Sequence, residues 1–138
     1  MPEVKESVRI AMDADDIWRR AGDFGAVGDW HPLAEHVESG GNEPGDTRRV
    51  LAADGSRQVE RLDSYDSAEH IYRYSMQETE LPVEHYTGEF EIDDRGDGTS
   101  AVTWTAHFDV TSGDQTATLE TVRQFFRTGL EALAKRYG

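Results

Sequence analysis

The chain has 138 residues, no cysteine and a net charge of −14, with 28 acidic residues against 14 lysines and arginines. This length suits one domain, residues 1–138, with a continuous core and neither disulfides nor thiolate metal sites. The negative charge argues against nucleic acid as a partner, because binding to phosphates depends on a basic surface.

The first predicted elements are a strand and a short helix. In residues 3–11, EVKESVRIA, Val4, Val8 and Ile10 share one parity, and Lys5 and Arg9 lie on the other, which predicts a half-buried strand. Asp13 is a good helix N-cap with further acids in the next turn, and Gly22 is a suitable stop. We therefore expect a helix between these two residues.

The next segment, FGAVGDWHPL at residues 24–33, is too rich in glycine for a strand or a long helix. We expect a second short helix that ends near Trp30, His31 and Pro32. Two interpretations stay open at this point. The segment is either a core plug capped by a turn or part of the rim of a pocket.

Six more strands follow, each bounded by turn-forming residues. Their expected bounds are 33–38, 47–52, 57–65, 70–78, 84–92 and 101–110. The period then changes, since Val122, Phe126 and Leu130 recur four residues apart. This spacing predicts one long amphipathic helix from about Asp114 to Tyr137.

Side-chain alternation separates an inner from an outer face on the last two strands. The inward residues are Val102, Trp104, Ala106, Phe108 and Val110 on one strand, and Tyr86, Gly88, Phe90 and Ile92 on the other. We expect Gly88 to lie opposite Trp104, because that register sets the smallest side chain against the largest.

The inner faces of the two middle strands are more polar. On residues 70–78 the inward set is His70, Tyr72, Tyr74 and Met76. On residues 57–65 the parity is ambiguous, because either Glu60 or Arg61 with Asp63 must face inward. An unpaired polar group in a dry interior costs about 1–3 kcal/mol, so this composition favours a partly hydrated pocket. Alternatively, the tyrosines only bring their hydroxyls to the surface.

With these elements in place, the chain resembles the SRPBCC superfamily, which includes START lipid-transfer domains, the birch-pollen allergen family and polyketide cyclase/dehydrase-like proteins. The last branch is the most similar. The resemblance covers nearly the whole length and rests on VRIAMDADDIWRRAGDFGAVGDWHP, GDTRRV, VERLDSYD, YRYSM, TSAVTWTAHF and the terminal helix. Its more specific parts are D-F-x5-W-H-P from Asp23 to Pro32, Arg48, and E-x-L-x-x-x-D from Glu60 to Asp66.

The resemblance implies an α+β helix-grip fold. A seven-stranded antiparallel curved sheet would wrap around the long C-terminal helix, and two short helices would lie between strands 1 and 2. A cavity would lie between sheet and helix, with Trp30 and His31 at its entrance. The resemblance also favours Glu60 over Arg61 as the inward residue, with Arg48 as its partner.

We therefore expect a protein that binds a small, largely apolar ligand, aromatic, polyketide-like or lipid-like, in an internal cavity. The predicted ligand-binding residues are Trp30, His31, Arg48, Glu60, Tyr72, Tyr74, Met76, Tyr86, Phe90, Trp104 and Phe126. The alternative is a cofactor-independent cyclase or dehydratase that uses His31 and Glu60 for acid–base chemistry. A third class, a protein that binds a regulatory partner, would use the outer sheet face instead.

Each candidate site residue also has a structural interpretation. His31 could cap a loop carbonyl behind Trp30, and Glu60 with Arg48 could be an ion pair within the sheet. The exposed pair His85 and His107 lacks a third ligand, so we predict no metal site. We also predict no cofactor, because the sequence contains no phosphate-binding loop.

The location is predicted from what the sequence lacks. The N-terminus has no signal-peptide pattern, and no apolar run approaches the roughly 18 residues of a membrane helix, so we expect a cytoplasmic protein without membrane insertion. Acidic residues spread along the whole chain indicate a solvated surface, such as one adapted to a saline cytoplasm. An exposed sheet edge could also form a homodimer.

Overall fold

A computed structural model describes residues 2–138. The elements are β1 (Glu3–Ile10), α1 (Ala14–Ala21), α2 (Val27–Trp30), β2 (Ala34–Ser39), β3 (Thr47–Ala52), β4 (Arg57–Asp66), β5 (Ile71–Thr79), β6 (Val83–Asp94), β7 (Ser100–Val110) and α3 (Gln115–Tyr137). A 3-10 turn, Phe24–Ala26, leads directly into α2.

The strands form one antiparallel sheet in the order β1-β7-β6-β5-β4-β3-β2. The buried residues of α3, among them Val122, Phe126 and Leu133, share one hydrophobic core with Trp104 and Phe108 of β7. The predicted fold is confirmed: a seven-stranded curved sheet holds a long C-terminal helix, with two short helices between β1 and β2.

The helix ends follow from local capping. The Asp13 side chain accepts a hydrogen bond from the Asp16 amide at 2.9 Å, and the amide of Gly22 donates to the Trp18 carbonyl at 2.8 Å. The Asp114 side chain accepts from the Thr116 amide at 2.9 Å at the start of α3. These short polar residues satisfy amides that a helix leaves without partners, so the boundaries are readable from sequence.

The expected register of the β6–β7 hairpin is wrong. Gly88 pairs with Ala106, and Trp104 pairs with Phe90. The turn between Asp94 and Ser100 fixes this pairing, with glycines at positive φ and a hydrogen bond from the Arg95 amide to the Thr99 carbonyl at 3.0 Å. Strand parity determines the faces but not the register, which is set by the turn.

Bulges explain why the parity of β4 is ambiguous. Its pairing with β5 shifts between Val59 and Glu60 and again between Leu62 and Ser64, so inward residues do not follow one simple alternation. Glu60 and Leu62 are buried, whereas Arg61 is exposed. The choice of Glu60 as the inward residue is therefore confirmed.

Candidate functional site

A cavity of about 930 Å³ lies between the sheet and the N-terminal half of α3. Its mouth consists of residues from the β3–β4 turn, from the end of β5 and from the first turns of α3. Its inner wall is mainly apolar. Among the residues that line the cavity are Val27, Arg48, Val50, Asp54, Arg57, Glu60, Tyr74, Glu80, Tyr86, Trp104, Glu120, Val122, Phe125 and Phe126.

The floor of the cavity contains a buried ion pair. Arg48 and Glu60 face each other on paired strands β3 and β4, and Arg48 Nε donates to Glu60 Oε1 at 2.6 Å. Only 1% of Arg48 and 5% of Glu60 is exposed. The predicted ion pair is therefore present. Because both charges are removed from water, each is stable only with a close partner.

Arg48 is held from several sides. Its Nη1 donates to the carbonyl of Phe24 at 2.7 Å and to the hydroxyl of Tyr72 at 3.1 Å, and its guanidinium lies 4.3 Å from the centre of the Phe24 ring. Burial alone would lower the pKa of Arg48, but the neighbouring Tyr72 and Glu60 outweigh it and raise that pKa. The guanidinium stays charged and Glu60 is anchored to it.

The second oxygen of the Glu60 carboxylate is different. Among residues 2–138, no group donates a hydrogen bond to Glu60 Oε2, although the side chain lines the cavity and is almost fully buried. Among the described residues, Trp30 Nε1 is the buried side-chain polar atom that lacks a partner, so Glu60 Oε2 is not sealed in the core but open to the cavity. The cavity therefore contains one strong hydrogen-bond acceptor that the described protein does not use.

Two tyrosines stand beside this carboxylate. Trp104 Nε1 donates to the Tyr74 hydroxyl at 2.9 Å. Burial raises the pKa of both Tyr74 and Tyr86, and Glu60 raises both further, so the two phenols are neutral at physiological pH. The polar end of the cavity thus combines one anchored carboxylate with two neutral hydroxyl groups.

Gly88 makes room for Tyr74. The two residues pair directly across β5 and β6, and a Cβ atom at position 88 would lie 2.2 Å from Cζ of Tyr74. The large side chain next to Gly88 is therefore Tyr74 and not the expected Trp104. A side chain at this position would displace the Tyr74 ring from the cavity floor.

The structure corrects the predicted position of Trp30 and His31 at the cavity entrance. Only 5% of Trp30 and 2% of His31 is exposed, and neither residue lines the cavity. Trp30 stacks on Phe90 with ring centres 5.8 Å apart, and its Nε1 has no hydrogen-bond partner among the described residues. Apolar packing on both sides draws these rings into the core, as the core-plug interpretation expects. Val27 and Leu33 of the same segment line the cavity, so each interpretation holds for part of the segment.

Both ring nitrogens of His31 are used by the backbone. Nδ1 accepts from the Leu33 amide at 3.1 Å, so Nε2 carries the proton and donates to the Phe125 carbonyl at 2.7 Å. Burial lowers the pKa of His31 to about 4 even though the bond to Phe125 opposes the shift. His31 is therefore neutral and fully engaged, and this geometry gives no support to a catalytic role.

The predicted site residues fall into two groups. Arg48, Glu60, Tyr74, Tyr86, Trp104 and Phe126 line the cavity. Trp30, His31, Tyr72, Met76 and Phe90 lie outside the lining. Tyr72 is buried in the core, where its hydroxyl accepts a hydrogen bond from Arg48. Met76 is half-buried farther along β5. Strand parity identified the inner face but not where along the strands the cavity lies.

Sequence reasoning missed most of the mouth. Gln124 and Phe125 of α3, Leu81 after β5, and Ala52 and Asp54 around the β3–β4 turn all line the cavity. The helix residues had a usable signal, because they flank the apolar stripe of Val122 and Phe126. The loop residues had none, since their position depends on how far α3 lies from the strand ends.

The two histidines considered as a metal pair bind separate carboxylates. His85 Nδ1 lies 3.1 Å from Asp109 Oδ2, and His107 Nε2 lies 2.7 Å from Glu3 Oε2. The sequence prediction of no metal site stays a prediction.

Residues 1–138 match the family described as "Polyketide cyclase / dehydrase and lipid transport". The chain belongs to this family. The match spans the whole sequence, so the resemblance predicted from the motifs is confirmed. No curated protein matches the chain.

Solved structures show the same fold as this family member. Protein XoxI from Bacillus cereus superposes with a TM-score of 0.92 at 24% identity, over 99% of this chain and 96% of that one. A protein from Thermobifida fusca gives 0.85 at 32% identity, over 100% and 94%. The Zhui aromatase/cyclase from Streptomyces sp. R1128 gives 0.82 at 21% identity, over 99% and 93%.

One further property concerns membranes. Within residues 2–138, this family member has no helix whose length and apolar character would let it span a bilayer.

Proposed function

We propose that this protein binds a small, largely apolar molecule in the cavity, with the polar end of the ligand at Glu60. The observation that carries the proposal is Glu60 Oε2, an oxygen of a side chain that lines the cavity, which accepts no hydrogen bond from any described residue. A ligand group that donates to this oxygen would satisfy it.

The cavity walls support an apolar ligand. Val27, Val50, Val122, Trp104 and Phe126 are all buried and face the same space. The volume, about 930 Å³, falls within the range of roughly 300–1,000 Å³ common for small-molecule sites. The family description, which joins polyketide chemistry with lipid transport, also supports an apolar ligand.

The first experiment measures binding of 2-naphthol and related aromatic alcohols by calorimetry and by quenching of tryptophan fluorescence, since Trp104 lines the cavity. We expect binding to the unmodified protein and at least about tenfold weaker binding to the E60Q variant, because a hydrogen bond to a charged group is lost. Native mass spectrometry of gently purified protein would identify a ligand that remains bound.

Glu89 supplies a matched control. Its Oε1 accepts from Arg73 Nε at 2.8 Å, in the same arrangement as Glu60 with Arg48, but on the outer face of the sheet. The E89Q variant should bind the probes like the unmodified protein. Equal binding by the E60Q variant, or no binding of any apolar probe, would refute the proposal.

A second candidate function is catalysis of the cyclase or dehydratase kind. It is favoured by one observation: Glu60 is fixed through Oε1 while Oε2 is free beside the neutral phenols of Tyr74 and Tyr86. A fixed carboxylate next to a hydroxyl suits proton removal and return. An enzyme would convert a bound ligand and lose turnover in the E60Q variant, whereas a carrier would release the ligand unchanged.

A further inference from the structure

The charge around the cavity mouth is unbalanced. Asp54, Glu80 and Glu120 line the exposed part of the cavity, and Arg57 is the exposed cation that lines it with them. Glu120 is partly offset by Arg123, whose Nη1 donates to it at 3.0 Å. The mouth therefore presents an excess of carboxylates to an entering molecule.

Local hydrogen bonds keep two of these carboxylates ionised. The amide and hydroxyl of Ser56 donate to Asp54 Oδ1 at 2.9 and 2.6 Å, and they lower the pKa of Asp54. Hydrogen bonds from Gln124 and Arg123 lower the pKa of Glu120. The cavity mouth therefore keeps its negative charge at neutral pH.

The positive charge of Arg48 at the cavity floor is balanced by Glu60. Arg48 Nε donates to Glu60, and Nη1 donates to the Phe24 carbonyl and the Tyr72 hydroxyl, which leaves Nη2 without a hydrogen bond to the described residues. On the Glu60 side of the pair, the carboxylate oxygen Oε2 accepts no hydrogen bond from the described residues. An anionic ligand would meet carboxylates at the mouth and another at the polar end, and the overall charge of −14 adds long-range repulsion.

We infer that the natural ligand carries a hydrogen-bond donor at its polar end and no negative charge, so that the cavity selects alcohols, phenols or ammonium groups and rejects carboxylates. This inference rests on the proposed function and names the ligand class for the same site. It also predicts that ligands reach the cavity free and not as an anionic thioester or phosphate conjugate.

Four naphthalene probes with the same ring test the inference: 2-naphthylmethanol, its methyl ether, 2-naphthylmethylammonium and 2-naphthoate. Calorimetric titrations at pH 7.5 and low salt should show binding of the alcohol and the ammonium. Binding of the carboxylate should be at least about tenfold weaker than that of the ammonium, and binding of the ether at least about fivefold weaker than that of the alcohol. Added salt should reduce the difference between the ammonium and the carboxylate, but not the difference between the alcohol and the ether.

Two triple variants separate the charge at the mouth from the charge of the whole protein. D54N/E80Q/E120Q removes the lining carboxylates and should reduce the preference for ammonium over carboxylate by about threefold. D97N/E69Q/E35Q removes the same number of exposed carboxylates elsewhere and should leave the preference unchanged. Asp97 is a close match for Asp54, since it accepts from the Thr99 amide at 3.0 Å and from the Thr99 hydroxyl at 2.5 Å in another turn.

The outcomes distinguish this inference from the proposed function. If no probe binds, the proposed function fails. If 2-naphthoate binds as tightly as the ammonium, or if the ether binds as tightly as the alcohol, the cavity is a binding site but the ligand class inferred here is wrong. If both triple variants weaken the preference equally, the selection comes from overall charge, and the role of the mouth is refuted.

Discussion

The two ends of the space beneath α3 are built from the same aromatic sheet face but filled differently. At one end α2 inserts Trp30 and His31 between sheet and helix, and their rings pack against Phe90, Trp104 and Phe125. At the other end the described chain inserts no comparable ring, and the cavity remains. An inward aromatic residue therefore does not by itself indicate a binding site. Whether it faces a cavity or another aromatic side chain depends on whether a second element, such as α2, packs against it.

The largest expected effect comes from Arg48, which lies where the two ends meet. In the R48M variant, Glu60 would be a buried charge without a partner, and we expect a loss of about 3–5 kcal/mol in the free energy of unfolding. Urea denaturation would measure it. The R73M variant, which breaks the exposed pair of Arg73 with Glu89, should lose less than about 1 kcal/mol.

The double variant R48M/E60M tests the reason for that loss. Replacement of both charges by apolar side chains removes the unpaired carboxylate, so most of the stability should return. If the double variant were as unstable as R48M, the contacts of Arg48 with Phe24 and Tyr72 would be the main contribution instead of the ion pair.

Burial of neutral His31 at the packed end should make the protein less stable in acid. The folded protein has a His31 pKa of about 4, against 6.5 for the free side chain, so only the unfolded chain takes up this proton between these values. Stability should fall as the pH drops through that window, by about 3 kcal/mol at pH 4. A nuclear magnetic resonance titration checks it directly, because a His31 ring signal with a midpoint near 6.5 would contradict the burial argument.

Gly129 is the helix residue that accommodates His31. A Cβ atom at position 129 would lie 2.4 Å from Cδ2 of the imidazole. In an open helix, replacement of glycine by alanine stabilises by about 1 kcal/mol. Here we expect the G129A variant to lose about 1–3 kcal/mol, because the buried ring cannot move away.

The sign of the change is diagnostic for Gly129. In the H31A background the ring is absent, so the G129A substitution should cost little or should stabilise. A stabilising G129A substitution in the unmodified protein would show that α3 does not press on His31 and that the packed end is looser than the distances indicate.

The contrast between the two ends also shows what the sequence could predict. Periodicity and capping determine which residues form strands, which faces point inward and where α3 begins, because these depend on neighbours in the chain. The partner of Gly88, the burial of His31 and the lining residue Leu81 depend on a turn register or on the spacing between distant elements. The inward position of Glu60 required a family resemblance, since bulges disturb the alternation of β4.

The smallest expected effect concerns the open end, where the Tyr86 hydroxyl lies at the cavity floor. The Y86F variant keeps the ring that stacks on Phe108 with centres 5.2 Å apart, so stability should change little. Burial raises the pKa of Tyr86, so its hydroxyl, which also bonds with Tyr74, stays protonated. We expect the affinity for 2-naphthol to fall about fivefold, the cost of one neutral hydrogen bond. The Y137F variant removes a hydroxyl that binds Arg136 outside the cavity and should leave affinity unchanged. If neither variant changes the affinity, the polar contact of the ligand is with Glu60 and not with Tyr86. If the Y86F variant loses stability, the Tyr86 hydroxyl belongs to the packed core and not to the cavity floor.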